Sequence, residues 1–244
     1  MSEIIKTRAL VLSKLNYGET SKIVAFYTED NGKFTGIIKG ARSPKSKIGK
    51  AADVLNLVEI QYYQKENREI QLVSGVEILN YFPKIKSDLD KLKYASTIIE
   101  PLIYLTVEHE VNEKLFRGVI KILELMNDSA DDLKVLAIKF LNFFIKELGF
   151  ELKFDSCSLC GTEINQNEDL AYDFSHGLLC PDCSHNSKGN YFIQKELLKI
   201  LYCIKHRKSF KYNDSDLIKL IKFFERFLMF QFSEFKGFRT LNMI

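Results

Sequence analysis

The sequence predicts a multidomain protein of mixed β and α class: an amino-terminal β-barrel, a helical domain, and a small metal-binding lobe inserted into that domain. Three observations predict it. Residues 1–80 alternate apolar and polar side chains in five short runs, the period of strands. After Tyr81-Phe82-Pro83 the apolar residues recur mostly at three and four, the period of helices. Two close cysteine pairs, Cys157/Cys160 and Cys180/Cys183, then interrupt the helical pattern. The expected divisions are 1–80 for the barrel, 81–154 and 191–244 for two parts of one helical domain, and 155–190 for the lobe.

The barrel runs are read in order. Ile5 to Lys14 is the first strand, and Asn16, Gly18, Glu19 and Ser21 break it. Lys22 to Thr28 is the second. Asp30-Asn31-Gly32 supplies a tight turn, because Asn and Gly tolerate positive φ. Gly32 to Lys39 is the third strand, with Phe34, Gly36 and Ile38 on one face and Thr35 and Ile37 on the other. Val54 to Tyr63 and Glu69 to Leu79 complete the set. Five strands in so small a unit favour closure, which removes unpaired edges. The OB-fold fits that strand number, with an SH3-like barrel as the main alternative. Phe26 and Phe34 are expected in the core, and Tyr17 and Tyr63 at the surface.

Between the third and fourth strands lies the most basic stretch of the chain. Lys33, Lys39, Arg42, Lys45, Lys47 and Lys50 occur with no acid among them. A strand feeding a flexible basic loop is a candidate phosphate contact at any base sequence. A solvated hairpin loop is the bland alternative. KGARSPKSK lacks the glycine spacing and lysine-serine ending of a Walker A loop, so no ATPase site is read there.

In the helical part, Leu89 to Leu102, Glu113 to Met126 and Asp131 to Leu148 form amphipathic patterns, and Gly149 is placed to cap the third. Ile193 to His206 and Ser215 to Phe232 form two more. Lys205, His206, Arg207, Lys208 and Lys211 make a second basic cluster between them. In Cys157-x-x-Cys160 and Cys180-x-x-Cys183, each pair lets two thiolates converge on one ion, so a tetrahedral structural zinc is expected. Four protein thiolates leave no open position for a catalytic water. His176 and His185 are weaker candidate ligands. Cys203, alone in a helical pattern, reads as a small packed hydrophobe.

Bulk properties are consistent with this reading. A length of 244 residues allows one or two domains, 46% hydrophobic content allows a sizeable core, and the net charge of +3 is mild. No run approaches the ~20 apolar residues that cross a bilayer. The start shows no secretory pattern, and paired cysteines favour metal over disulfides. A cytoplasmic protein is expected.

The run YGETSKIVAFYTEDNGKFTGIIKGARSPKS, residues 17–46, closely resembles the amino-terminal signature of the bacterial recombination mediator family RecO. The resemblance continues through the helical region and the CxxCG…CxxC module. It implies an OB-fold, a helical domain, often a zinc lobe, and no enzymatic turnover. It implies a DNA-repair protein of the RecF pathway, nucleoid-associated during repair. Such a protein binds single- and double-stranded DNA, anneals complementary strands, interacts with RecR and in many cases with the single-strand binding protein, and assists RecA loading. Carried onto this chain, Lys39, Arg42, Lys45 and Lys47 match positions implicated in DNA contact, with Lys33, Lys50 and Tyr17 as neighbouring candidates. Cys157, Cys160, Cys180 and Cys183 match the zinc ligands. Two stretches depart from the family pattern: Ala51 to Leu55, where many relatives have a proline, and Phe238-Arg239-Thr240, where relatives often have leucine-lysine-serine. The rival functions are a protein-assembly scaffold that does not touch DNA and an RNA-binding regulator.

Overall fold

The structure is a computed structural model that describes residues 3–186 and 191–242. The last four residues of the expected lobe, 187–190, lie outside the described residues. The chain divides into two units, 1–133 with 240–244, and 134–239.

The first unit holds the barrel. Its elements are β1 (Glu3–Tyr17), β2 (Ser21–Thr28), β3 (Gly32–Ile38), a short helix α1 (Lys47–Ala51), β4 (Leu57–Gln64) and β5 (Ile70–Asn80). The strands close in the order β1-β2-β3-β5-β4. Closure depends on β1, whose first half pairs with β4 and second half with β2. A register shift between Val11 and Ser13 lets this long strand bend from one partner to the other. The ring's single parallel pairing, β3 with β5, runs from Thr35↔Ile70 to Ile37↔Leu72.

The inward positions Val11, Val24, Phe26, Phe34, Val58, Ile60 and Tyr62 are all buried. Phe34 is central: its ring lies 5.6 Å from Phe26 and 4.5 Å from Tyr62. Burying each such ring contributes about 1.5–3 kcal/mol. Gly36 leaves room for these rings, because a Cβ there would strike Val73.

Three helices follow: α2 (Pro83–Ser87), α3 (Leu89–Leu105) and α4 (Glu113–Asp128). Asp88 caps α3 by accepting from the Lys91 N–H, and Asn112 caps α4 through the Leu115 N–H. The α3–α4 connection lies on the barrel. His109 donates its N–H to the Lys33 carbonyl at 2.9 Å, and Tyr27 packs against Phe116 with ring centroids 6.2 Å apart.

The second unit begins with α5 (Leu133–Glu147). Gly149 ends it at φ +91°, and the Phe150 N–H returns to the Ile145 carbonyl, a Schellman-type closure. Next come β6 (Leu170–Asp173), β7 (Gly177–Leu179), α6 (Pro181–Asn186), β8 (Tyr191–Ile193), α7 (Lys195–Lys205) and α8 (Asp214–Gln231). The small sheet has the order β7-β6-β8. An aromatic cluster joins it to α8: Tyr172 and Phe174 lie 5.0 Å and 6.0 Å from Phe223. A last turn, α9 (Arg239–Asn242), carries Thr240, which belongs to the first unit. There Thr240 donates both its N–H and its hydroxyl to buried Glu100.

The expected fold class needs correction in two respects. The OB-fold name is not retained: that fold is a partly open barrel, whereas the pairing here runs unbroken around the ring. Nor is there one helical domain around an inserted lobe. Helices α2 to α4 belong with the barrel, while α5, the cysteine module, α7 and α8 form the other unit. The two compact units part at residues 133/134, well beyond the change of period near residue 80. Apolar periodicity shows that a helix is amphipathic but not which neighbour covers it.

Candidate metal centre and nucleic-acid interface

The basic stretch is not the flexible loop expected from its sequence. Gly40, at φ +68°, turns the chain out of β3, and two hydrogen-bonded turns follow, Ser43 N–H to Gly40 and Ser46 N–H to Ser43. Arg42 fastens the strap to the β1–β2 hairpin. Its backbone N–H reaches the Thr20 carbonyl at 2.8 Å, and Nη1 reaches the Gly18 carbonyl at 2.7 Å. Ser46 caps α1 by accepting from the Gly49 N–H. Gly49 packs so closely on Ala41 that a Cβ would run into the Ala41 carbonyl. Lys22 donates to the Gly49 carbonyl at 2.8 Å. These bonds hold Lys45, Lys47 and Lys50 out to solvent, beside the exposed Lys39.

Not every expected cation serves alike. Lys39, Lys45, Lys47 and Lys50 are exposed and have no acidic partner among the described residues. Arg42 is exposed but spends its guanidinium partly on Gly18. Lys33 stands apart: its ammonium donates to the Ile103 carbonyl at 2.7 Å. Burial holds its pKa below the ordinary lysine value, against the opposing pull of Glu108. Its expected place among the phosphate contacts is therefore corrected, because the outward face of β3 is covered at that end.

Where that face is open, an apolar row crosses the barrel. The ladder aligns Leu15 with Ile23, Ile23 with Ile37, and Ile37 with Leu72. A groove of about 680 Å³ lies over this row, lined by Tyr17, Ile23, Ile37, Ile70 and Leu72, with Lys39, Arg68, Asn67 and the acidic Glu69 as its polar residues. Tyr17, expected at the surface, is 54% exposed. Sequence reasoning missed Ile23, Arg68, Ile70 and Leu72. Strand alternation does carry a signal, since Ile37 must face away from buried Ile38.

In the second unit, all four Sγ atoms of Cys157, Cys160, Cys180 and Cys183 lie within 4.8 Å of one another. The separation of Cys160 Sγ from Cys180 Sγ is 3.7 Å. Thiolates on a tetrahedral zinc at ~2.3 Å sit roughly 3.8 Å apart, so the set fits such an ion. The local chain folds to produce this. Gly161, at φ +77°, turns the first pair, and its N–H bonds the Cys157 carbonyl. The β6–β7 hairpin delivers Cys180 to the start of α6, which carries Cys183. The Ser158 N–H bonds the Leu178 carbonyl and ties the two halves together.

The sulfurs also show why a cation belongs among them. Burial opposes a Cys157 thiolate, yet backbone N–H groups at Cys160, Cys180 and Leu159 outweigh it and hold the thiol down to about 6. Cys183 is pushed up to about 12, first by Cys180 and then by Cys160. Four thiols this crowded do not all ionise alone, and a bound divalent ion reverses that order. His176 is not part of the set; it pairs with Asp173 at 3.3 Å.

These features define a β-barrel protein with an exposed basic strap and a closed, four-cysteine metal-binding module. The chain belongs to the RecO family. The family description "Recombination protein O N terminal" matches residues 1–82, and "Recombination protein O C terminal" matches residues 86–236. The DNA repair protein RecO of Clostridium novyi is 31% identical over 74% of this chain and 69% of its own length. The DNA repair protein RecO of Chlorobium limicola is 33% identical over 66% and 62%. The DNA repair protein RecO of Caldanaerobacter subterraneus is 30% identical over 82% and 80%.

Proposed function

We propose that this chain is a mediator of DNA repair and homologous recombination that acts by binding DNA, without catalytic turnover. The observation that carries the reading is the pinned strap: Lys39, Lys45, Lys47 and Lys50 are exposed and have no acidic partner among the described residues, and Lys39 also lines the apolar groove that includes Tyr17. The lysines neutralise phosphate, and the groove receives unstacked bases, each aromatic stack contributing about 1–3 kcal/mol. Phosphate contacts carry no sequence information, so pairing remains the choice of the bases. A basic surface that lowers the repulsion between two strands promotes their annealing.

In this reading the protein binds single- and double-stranded DNA and, with RecR, assists RecA loading on DNA coated by the single-strand binding protein. The family membership supports the repair and recombination role, and the partners are those that the resemblance implies. The metal is one structural zinc, held by Cys157, Cys160, Cys180 and Cys183, which when bound would offset half of the four thiolate charges and would crosslink the β6–β7 hairpin to the Cys157–Cys160 turn. The test is a salt titration of single-stranded DNA affinity. Replacing Lys39, Lys45, Lys47 and Lys50 together by Gln should reduce the salt slope by up to about 3, at ~0.7 per phosphate contact. A variant that folds and keeps the wild-type slope overturns the reading.

A further inference from the structure

The second unit contains another charged surface, at the tip of the α7–α8 hairpin, in the segment from His206 to Asn213. We propose that this tip is a second contact for single-stranded nucleic acid, separate from the barrel strap; it rests on the DNA-binding reading above.

Three observations meet there. The first is charge. Arg207 and Lys211 are exposed and have no acidic partner among the described residues. The nearby acids are already engaged: Asp155 pairs with Lys205 and with His206, and Asp214 pairs with Lys134 at 3.2 Å. The second is interleaved aromatics. Tyr212 is 44% exposed, with its ring 5.6 Å from Phe210. Lys208 lies over Tyr202, 5.1 Å from the ring centroid. Tyr212 is the exposed ring of the three, and cations flanking such a ring suit a single strand, whose phosphates and bare bases are both available.

The third is backbone. Arg207 sits at φ +54°, just past the end of α7, where the Lys208 N–H returns to the Cys203 carbonyl. Glycine is the usual residue at this position, and an arginine there is strained. Cations near a helix carboxy terminus also complement its dipole. That general preference accounts for Lys205, but it does not account for an arginine in the left-handed position or for exposed Tyr212. An outlier of this kind at an exposed, charged tip points to a role for the side chain itself.

The same outlier supplies the test, because the charge-removing substitution also relieves strain. In the full chain, Arg207→Gly with Lys208→Gln and Lys211→Gln should leave the melting midpoint unchanged or raised. Affinity for a thymidine oligonucleotide, which does not pair with itself, should fall about tenfold or more in low salt, and the salt slope by up to about 2. Tyr212→Ala should weaken binding with the slope kept, the mark of stacking. If the triple variant keeps wild-type affinity and slope while the strap variant loses both, this inference fails and the barrel reading stands. If wild-type protein does not bind the oligonucleotide, both fail. If poly-glutamate of matched charge competes as well as the oligonucleotide, the tip is an acidic-peptide site and the proposal is overturned.

Discussion

Gly49→Ala tests whether the strap works through its architecture or only through its charge. The substitution removes no cation. A Cβ at residue 49 would meet the Ala41 carbonyl, and backbone does not rotate away as a side-chain tip would. Overpacking of this kind costs about 1–3 kcal/mol. Alanine returns up to ~1 kcal/mol in helix propensity, so the net penalty is about 1–2 kcal/mol. That penalty falls on α1, five residues held by the Ser46 cap, the Lys22 bond and the Ala41 contact. Ala41 and Ala52 belong to the barrel core and Ile48 packs against it, so the loosening is expected at that contact while the backbone-bonded strand ladders persist. The docked helix should therefore loosen while the barrel stays folded. Hydrogen exchange reads this directly: the Ala52 N–H, bonded to the Ile48 carbonyl, should lose about tenfold in protection, since ~1.4 kcal/mol is a factor of ten. Amides of the β1–β4 ladder should keep theirs. DNA affinity should fall with the charge count unchanged. Gly40→Asn is the control, because nothing lies within 4 Å of a Cβ there and Asn tolerates the left-handed conformation. Wild-type exchange at Ala52 and wild-type affinity in Gly49→Ala would refute a pinned strap.

Three further outcomes follow from the structure. Burial holds the Tyr62 phenol neutral up to about 12; the unfolded chain ionises near 10 and so binds fewer protons in between, and stability should fall as pH rises from 10 toward 12. Denaturant titrations at both ends of that window should show a smaller fall in Tyr62→Phe. Metal analysis should find one zinc per chain; chelation should remove exchange protection at Ser158 and Gly161 and spare the barrel, and metal affinity should drop as pH falls, because the thiolates must stay deprotonated. Thr240→Val removes the hydroxyl's hydrogen bond to the buried Glu100 carboxylate and keeps the one from the backbone N–H, which should cost about 1.5–3 kcal/mol by equilibrium unfolding; an unchanged midpoint would show that the hydroxyl does not anchor the tail there.

The barrel strands and the four cysteines were legible because their signals are local: alternation for Phe34 and Ile38, pair spacing for Cys157 to Cys183. Even so, β1 runs to Tyr17, beyond Lys14, because pairing with β2 extends it past the apolar pattern. Helix α1 was not legible. KIGKA is short and carries a glycine, and what stabilises it is tertiary: Ser46, Lys22 and the Ala41 carbonyl. Lys33 shows the same limit. Alternation puts it on the outer face of β3, but only the fold shows that the α3–α4 connection covers that end. The groove at Ile23, Ile37 and Leu72 depends on the parallel β3–β5 pairing, a non-local contact with no sequence mark. The unit boundary at 133/134 was hidden for a like reason: α4 and α5 both bury apolar residues, which does not say what covers them, and they belong to different units.

Annealing of complementary single strands, bare and coated with the single-strand binding protein, tests the account most directly. Wild-type protein should accelerate annealing on both in low salt. The variant lacking Lys39, Lys45, Lys47 and Lys50 should lose most of that acceleration while remaining folded and metal-bound. Wild-type protein that leaves annealing at the spontaneous rate on both substrates would contradict it.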